Sequence, residues 1–393
     1  MIRHSLYLAW RYLAHHPLRT VILVACVTLI AVLPLSLELI LKESERQLVT
    51  RADTTPLLFG AQGSALDLVM NSLYFSDEVP ITTTMAAVDE IAASGLAGPI
   101  PLHVRFKARG FPIVGTTLDY FDFRGLQLAQ GHHFAYLGEC VIGAEVAAKL
   151  QLGVGDHLLS SPETVFDIAG IYPLKMKITG VLKPTNSADD LGVFTDVDTT
   201  MVIQGLSHGH EDLARTTDPS LIIDRSDSAI RANAKLVEYT EITTENIDSF
   251  HPHGEPADFP LTGIIALPYD DKSGTILRGR YIDPDASLQA VRPGGVIDTL
   301  MDNIFRIRNL IDAVVFSVGV ATLLALLLVF SLSLRLRQRE IDTAFKLGCS
   351  RATIVRLLGA EILIIMLFSA AVAVLLLFIV SHYAQLIVRS LFM

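Results

Sequence analysis

The chain has 393 residues, 51% of them hydrophobic, a mean hydropathy of +0.46 and a formal net charge of −10. The length allows two or three structural units, and the hydropathy is high for a soluble protein. Residues 42–309 carry 21 Lys/Arg against 36 Asp/Glu, a balance of −15, while the rest carries 10 against 5, a balance of +5. An acidic middle excludes nucleic acid as the natural partner. Together with basic flanks it points to a membrane protein whose large domain lies outside.

Residues 1–19 mix Leu6, Leu8, Trp10, Tyr12 and Leu13 with Arg3, Arg11 and Arg19. That is the composition of a cytoplasmic or interfacial helix, which Pro17 is expected to end. Residues 20–41 are apolar and long enough to cross the bilayer, longer than a signal-peptide core. Pro34 is expected to kink this first span, and Glu38 to sit near its outer interface.

Residues 45–305 contain no run that could span a bilayer and read as a mixed α/β domain. Strands are predicted at Leu57–Phe59, His103–Phe106, Pro112–Thr116, Glu139–Ile142, His157–Leu159, Phe166–Ala169, Lys175–Leu182 and Ile264–Leu267. GAQGSALDLVMNSLY, residues 60–74, reads as a glycine-punctuated turn leading into a helix. Further helices are predicted over Met85–Ala93, capped by Thr83 or Thr84 and followed by Gly95, and over Ala144–Leu150. Leu221–Asp224 opens another segment, with a helix over Ser228–Tyr239. Ile297–Leu310 is helical and runs without a breaker into the second span, as a stalk would.

Residues 313–334 form that second span. Ala313, Ser317, Ala321 and Ala325 recur every fourth residue, a spacing that lets helix backbones approach closely. The stripe fits two readings equally: packing within the chain, or an interface between two copies. Residues 335–360 are a positive connector, which belongs on the cytoplasmic side. Ile341, Ala344, Phe345, Ile354, Leu357 and Leu358 give it an apolar periodicity. Arg339, Lys346, Arg351 and Arg356 are basic, Gly348 interrupts, and Ser350 can cap a second helix. A loop that only fixes topology needs neither periodicity nor cap, so the connector is read as a docking element. Residues 361–380 form the third span and 381–393 a mildly apolar tail. This topology puts the N-terminus inside and both residues 45–305 and the tail outside. Cys26, Cys140 and Cys349 then fall in three different compartments, and no disulfide is expected within one chain.

No phosphate loop, nucleophile elbow, H-E-x-x-H or C-x-x-C motif is present. The pairs His208/His210 and His251/His253 sit among Gly, Pro, Asp and Ser and are read as loop histidines rather than a metal site, and His132-His133 is another cluster. The Asp189-Asp190 and Asp270-Asp271 pairs are read as solvated turns. No catalytic, cofactor-binding or metal-binding residue is assigned.

The order of these parts, one span, a large outer domain, then spans around an R-x-R-E-I…K-L-G-x-S-R connector, resembles the MacB/FtsX-like permeases of ABC transporters, the type VII mechanotransmission group. In this chain the connector residues are Arg337, Arg339, Glu340, Ile341, Lys346, Leu347, Gly348, Ser350, Arg351, Ile354 and Glu361. AWRYLAHHPLRT (9–20), GAQGSALDLVMNSLY (60–74), VIGAEVAAKLQLGVGD (141–156) and ITGVLKPTNSADD (178–190) extend the likeness. The resemblance implies a membrane protein with α-helical transmembrane spans and a mixed α/β extracytoplasmic domain of two lobes, one over 126–215 and one assembled from 45–125 and 216–305. It implies a homodimer, a separate cytoplasmic ATPase that binds ATP and Mg, and a periplasmic adaptor or outer partner. Arg339, Glu340, Ile341, Phe345, Lys346, Gly348, Ser350, Arg351, Ile354 and Glu361 would couple to that ATPase. This chain would be non-catalytic and bind no cofactor itself. Substrates in the family are lipoproteins, peptides, antibiotics and other lipophilic molecules. Family members usually have four spans, whereas three are predicted here: a three-span variant, a truncated chain, or one completed by another subunit. The competing reading is a membrane-anchored sensor or interaction protein without an ATPase; an anchored hydrolase lacks its motifs.

Overall fold

The computed structural model describes residues 2–161, 173–209, 222–226, 229–232, 240–282, 286–336, 338, 343, 346, 348 and 350–392. The chain divides into two compact units, one of residues 1–48 and 299–392, the other of residues 49–298.

The chain opens with α1 (Ile2–His15) and α2 (Pro17–Asp53). Pro17 separates them for a physical reason. It disfavours helix at the residue before it, yet its fixed φ suits the first position of a new helix. Pro34 lies inside α2, and Glu38 pairs with Lys42 one turn on, at 3.0 Å on an exposed face.

The unit of residues 49–298 is built on a ten-stranded mixed sheet. Its strands are β1 (Leu57–Ala61), β3 (Ala97–Ala108), β4 (Phe111–Thr116), β5 (Leu128–Gly131), β6 (Glu139–Ile142), β7 (His157–Leu159), β8 (Lys175–Leu182), β9 (Val193–Asp196), β15 (Gly263–Pro268) and β16 (Leu288–Val291). Their order is β16-β1-β15-β3-β4-β9-β6-β8-β5, with β7 on β8; only β4–β9 and β6–β8 run parallel. Strand β3 holds the two halves together. Its first half, Ala97 to Leu102, pairs with β15, and its second half, His103 to Ala108, pairs with β4. The turn between β3 and β4 is Arg109-Gly110, with φ of 50° and 88°. Both residues occupy the left-handed region that two-residue hairpin turns demand. Alternation places the core: in β8, Met176 and Ile178 are buried while Lys177 between them is exposed.

Two apolar clusters follow the two halves. One gathers Phe59, Ile91, Leu261, Ile264 and Leu277 with Met201; the other gathers Ile113, Cys140, Ile142, Met176, Ile178 and Val193. The helices α3 (Ala65–Tyr74), α4 (Ala86–Ala93), α5 (Asp119–Arg124), α6 (Ala144–Leu150), α7 (Val197–Ile203) and α8 (Asp271–Arg280) complete this unit. Ser64 caps α3, Asp196 caps α7 and Asp270 caps α8, each side chain accepting from a backbone N–H of the first turn.

Three expectations need correction here. Thr83 and Thr84 do not cap α4. They form β2, paired with β14 (Pro260–Leu261), and Met85 takes the cap position. The helix expected from Ser228 is replaced, over Ala229–Ala232, by strand β12, which pairs with β11 (Ile222–Ser226). The Ile222-Ile223 pair and the Asp-Ser at 227–228 favour a hairpin, a signal the helical reading passed over. The rest of that expected helix, and the strand expected over Phe166–Ala169, lie outside the described residues. The third correction, strands at the histidine pairs, is taken up below.

Helix α9 (Pro293–Leu336) is continuous through the stalk and the expected second span, and α10 (Arg351–Phe392) contains the third. Among the described residues, two segments are long and apolar enough to cross a membrane, Pro17–Ile40 and Ala352–Tyr383. In the helical unit, Trp10 of α1 stacks on Phe368 of α10 at 5.7 Å, and Thr28 of α2 donates to the Ser369 carbonyl of α10 at 3.4 Å. An apolar groove of about 670 Å³ lies along these three helices, lined by Leu13, Val21, Leu29 and Phe368 among others.

Candidate functional site

Two places could carry function: the connector and a buried ion pair in the α/β unit. The connector is built on a helix break. Gly348 has φ of 90°, which ends one helical stretch without a Cβ penalty. Ser350 then caps α10, its Oγ accepting from the Thr353 N–H at 3.3 Å. Lys346 is helical and exposed, Ser350 exposed and Ile354 half-buried, while Arg351 is the first residue of α10. Arg339, Glu340, Ile341 and Phe345 lie outside the described residues. Glu361 is 4% exposed and lines a small cavity with Tyr12, His16 and Arg19. Ala313, Ser317 and Ala321 are exposed on α9; Ser317 bonds its own helix, Oγ to the Ala313 carbonyl at 2.8 Å. Ala325 is on the same helix.

The buried site was not expected from the sequence. Arg51 stands in the last turn of α2 and is 9% exposed. Its guanidinium grips Asp189 with two bonds, Nη1 to Oδ2 at 2.6 Å and Nη2 to Oδ1 at 2.8 Å. Nη2 also donates to the Tyr120 hydroxyl at 2.9 Å, and that hydroxyl donates to Asp189 at 2.8 Å. Nε donates to the Leu73 carbonyl, and Phe75 lies under the guanidinium at 5.5 Å. One side chain thus ties α2 to the end of α3, to α5 and to the 3₁₀ turn Ala188–Leu191. The planar fork of arginine suits this geometry; a lysine could make no such bidentate pair.

Asp189 and Asp190, expected to be solvated turns, are each 2% exposed. Asp190 accepts from the backbone N–H groups of Thr185 and Asn186 and from the Thr185 hydroxyl. The turn packs so closely on Gly143 that a Cβ there would meet the Asp190 and Asp189 carbonyl oxygens at 2.3 and 2.4 Å. Asp270, by contrast, is an exposed helix cap, as the solvated reading expects.

Charge follows geometry. Burial pushes the Asp189 carboxyl up, but the Arg51 charge and hydrogen bonds, with Arg124 and Tyr120, more than offset it and hold it at about 2. Burial pushes Arg51 down, and Asp189 more than reverses that. Burial and the Asp189 charge push the Tyr120 phenol up to about 12. Both ions stay charged and the tyrosine neutral at ordinary pH. The arrangement holds no nucleophile and no displaced base; it is a mechanical fastener.

Cys140 is fully buried and its thiol is pushed up by that burial; Cys26 is free. His208 and His251, expected in loops, instead face each other across the short ladder of β10 (Ser207–His208) and β13 (His251–Pro252). His210 and Cys349 lie outside the described residues.

An α/β domain flanked in sequence by long apolar helices is the layout of a membrane-anchored module. The MacB-like periplasmic core domain family matches residues 21–235. That is more than half of the chain, and the chain belongs to this family, that of the MacB/FtsX-like ABC transporter permeases. It is a membrane protein with a periplasmic-type domain and apolar helices near both ends. No curated protein matches the chain. Among solved structures it is similar to the extracellular domain of the noncanonic ABC-type transporter YknZ from Gram-positive bacteria, at 11% identity, 60% of this chain, 98% of that one and a TM-score of 0.32. It is also similar to the periplasmic region of MacB from Actinobacillus actinomycetemcomitans, at 12% identity, 65% of this chain, 94% of that one and a TM-score of 0.32.

Proposed function

We propose that the chain is the non-catalytic permease subunit of an ABC transporter. It relays the motion of a separate cytoplasmic ATPase to its α/β domain and so drives export or extraction of a lipophilic, peptide or lipoprotein substrate. The observation that carries this is the fastening of α2. A 37-residue helix whose Pro17–Ile40 part is apolar enough to cross a membrane has Arg51 near its end, locked in a buried bidentate ion pair. Arg51 and Asp189 both belong to the unit of residues 49–298, so the last turn of α2 is held to that unit's own elements.

The finer reading follows from the family. Three spans cross the membrane at residues 20–41, 313–334 and 361–380. The N-terminus and the connector are cytoplasmic, and residues 45–305 form two lobes outside. Two copies assemble, with Ala313, Ser317, Ala321 and Ala325 on their packing face. Arg339, Glu340, Ile341, Phe345, Lys346, Gly348, Ser350, Arg351 and Ile354 form the surface that meets the ATPase. ATP and Mg bind that partner and not this chain.

Phe345→Asp and Lys346→Asp test the relay. Either change should leave membrane insertion and assembly of the α/β domain intact while abolishing transport at undiminished ATP hydrolysis by the co-purified ATPase. Full transport in both variants would remove the docking role. Failure of any ATPase to co-purify in stoichiometric amount would favour the sensor reading.

A further inference from the structure

The three histidines His208, His251 and His253 come together where β10 and β13 pair. Each offers a ring nitrogen, and the three lie within 4.8 Å of one another. The sequence pattern explains how. His208 is directly opposite His251 in the antiparallel ladder, and His253, two residues on, returns to the same face. The His253 N–H donates to the Leu206 carbonyl at 2.7 Å, which continues the pairing past the strand ends.

The ring geometry is that of a ligand set. His208 and His253 stack, with centroids 4.2 Å apart and planes 25° from parallel, and their Nε2 atoms are 3.1 Å apart. Two nitrogens on one tetrahedral zinc, each about 2.0–2.1 Å from the ion, stand roughly 3.3 Å from one another. His251 carries its own orienting bond. Its Nδ1 is 2.9 Å from the Ser249 carbonyl oxygen, which can only accept, so Nδ1 carries the proton. A ring that donates through Nδ1 presents the Nε2 lone pair, the tautomer that metal-ligating histidines adopt when a backbone carbonyl orients them. His208 and His251 are half-buried and His253 is exposed, so the cluster is open to solvent on one side.

We propose that His208, His251 and His253 form a divalent transition-metal site, with zinc the ion it fits, that clamps β10 to β13. Three imidazoles match zinc in ligand type and number, and a water would complete the tetrahedron. The ion would join two strands that are 43 residues apart in the chain, and so close the loop between them.

The test uses the full-length protein in detergent, stripped with a chelator and titrated with zinc chloride against a chromophoric competitor. One equivalent per chain should bind with a Kd tighter than ~10 µM. His253→Ala, at an exposed position, should weaken it at least ~10-fold, as should His208→Ala, because losing a ligand costs no less than losing an outer-shell partner. His132→Ala with His133→Ala should leave it unchanged. Zinc should raise the melting temperature of the wild type but not that of His253→Ala, with both proteins melting alike in chelator. Binding no tighter than ~10 µM would mean that the 3.1 Å contact is a plain imidazole–imidazole hydrogen bond, and the site falls. Binding untouched by His208→Ala and His253→Ala would overturn it equally.

Discussion

Arg51 illustrates what a single side chain can hold and how badly its loss is tolerated. Removing one partner of a buried ion pair strands the other charge. Arg51→Ala should therefore cost about 3–5 kcal/mol of stability, and Asp189→Ala a similar amount. Replacing both partners by apolar residues of matching shape, Arg51→Met with Asp189→Leu, should cost far less, because no buried ion is left unpaired. Thermal melting of the purified chain separates these outcomes; equal losses in the single and double variants would contradict the account. The pair also has an acid limit. Its carboxylate has a depressed folded pKa, so its contribution is present above about 4 and is lost only as pH falls toward about 2. His103 fails sooner. It is fully buried, and burial with the Arg105 charge pushes it down to about 4. A depressed histidine contributes stability that is complete above about 6.5 and lost as pH falls through 4. Between pH 7 and pH 5 the wild type should lose about 2 kcal/mol that His103→Leu does not lose. Parallel pH dependence in the two proteins would contradict this. None of it was legible beforehand. Asp189 sits in an Asn-Ser-Ala-Asp-Asp run that reads as a turn, which it is, but the run does not say that the turn is buried under an arginine 138 positions away.

At the level of elements the sequence carried more. Strands with clear alternation, such as Lys175–Leu182, and the short helix Ala144–Leu150 stand where they were predicted. So do the Arg109-Gly110 turn and the unbroken run from Ile297 into the second span. Errors cluster where pairing rather than local pattern decides. Thr83 and Thr84 are good caps in isolation, but β14 claims their backbone. Two-residue strands such as β10 and β13 have no periodicity to detect, so His208 and His251 read as loop residues until their partner is known. Strand β3 is the plainest case. Of its 12 residues only His103–Phe106 are predicted as strand, and its exchange of partners between Leu102 and His103 is a property of the sheet alone.

On the scale of the whole molecule, the family match and the long apolar helices are what the proposed relay across a membrane rests on. The proposed orientation, with the acidic stretch outside and the positive connector within, rests on charge asymmetry. The Lys346 position tests that most directly. A Lys346→Cys variant, with Cys26, Cys140 and Cys349 replaced by serine or alanine, is exposed to a membrane-impermeant thiol reagent in intact and then in permeabilised cells. The account predicts no labelling until the membrane is breached. Rapid labelling in intact cells would place the connector on the outer side and contradict the relay at its root.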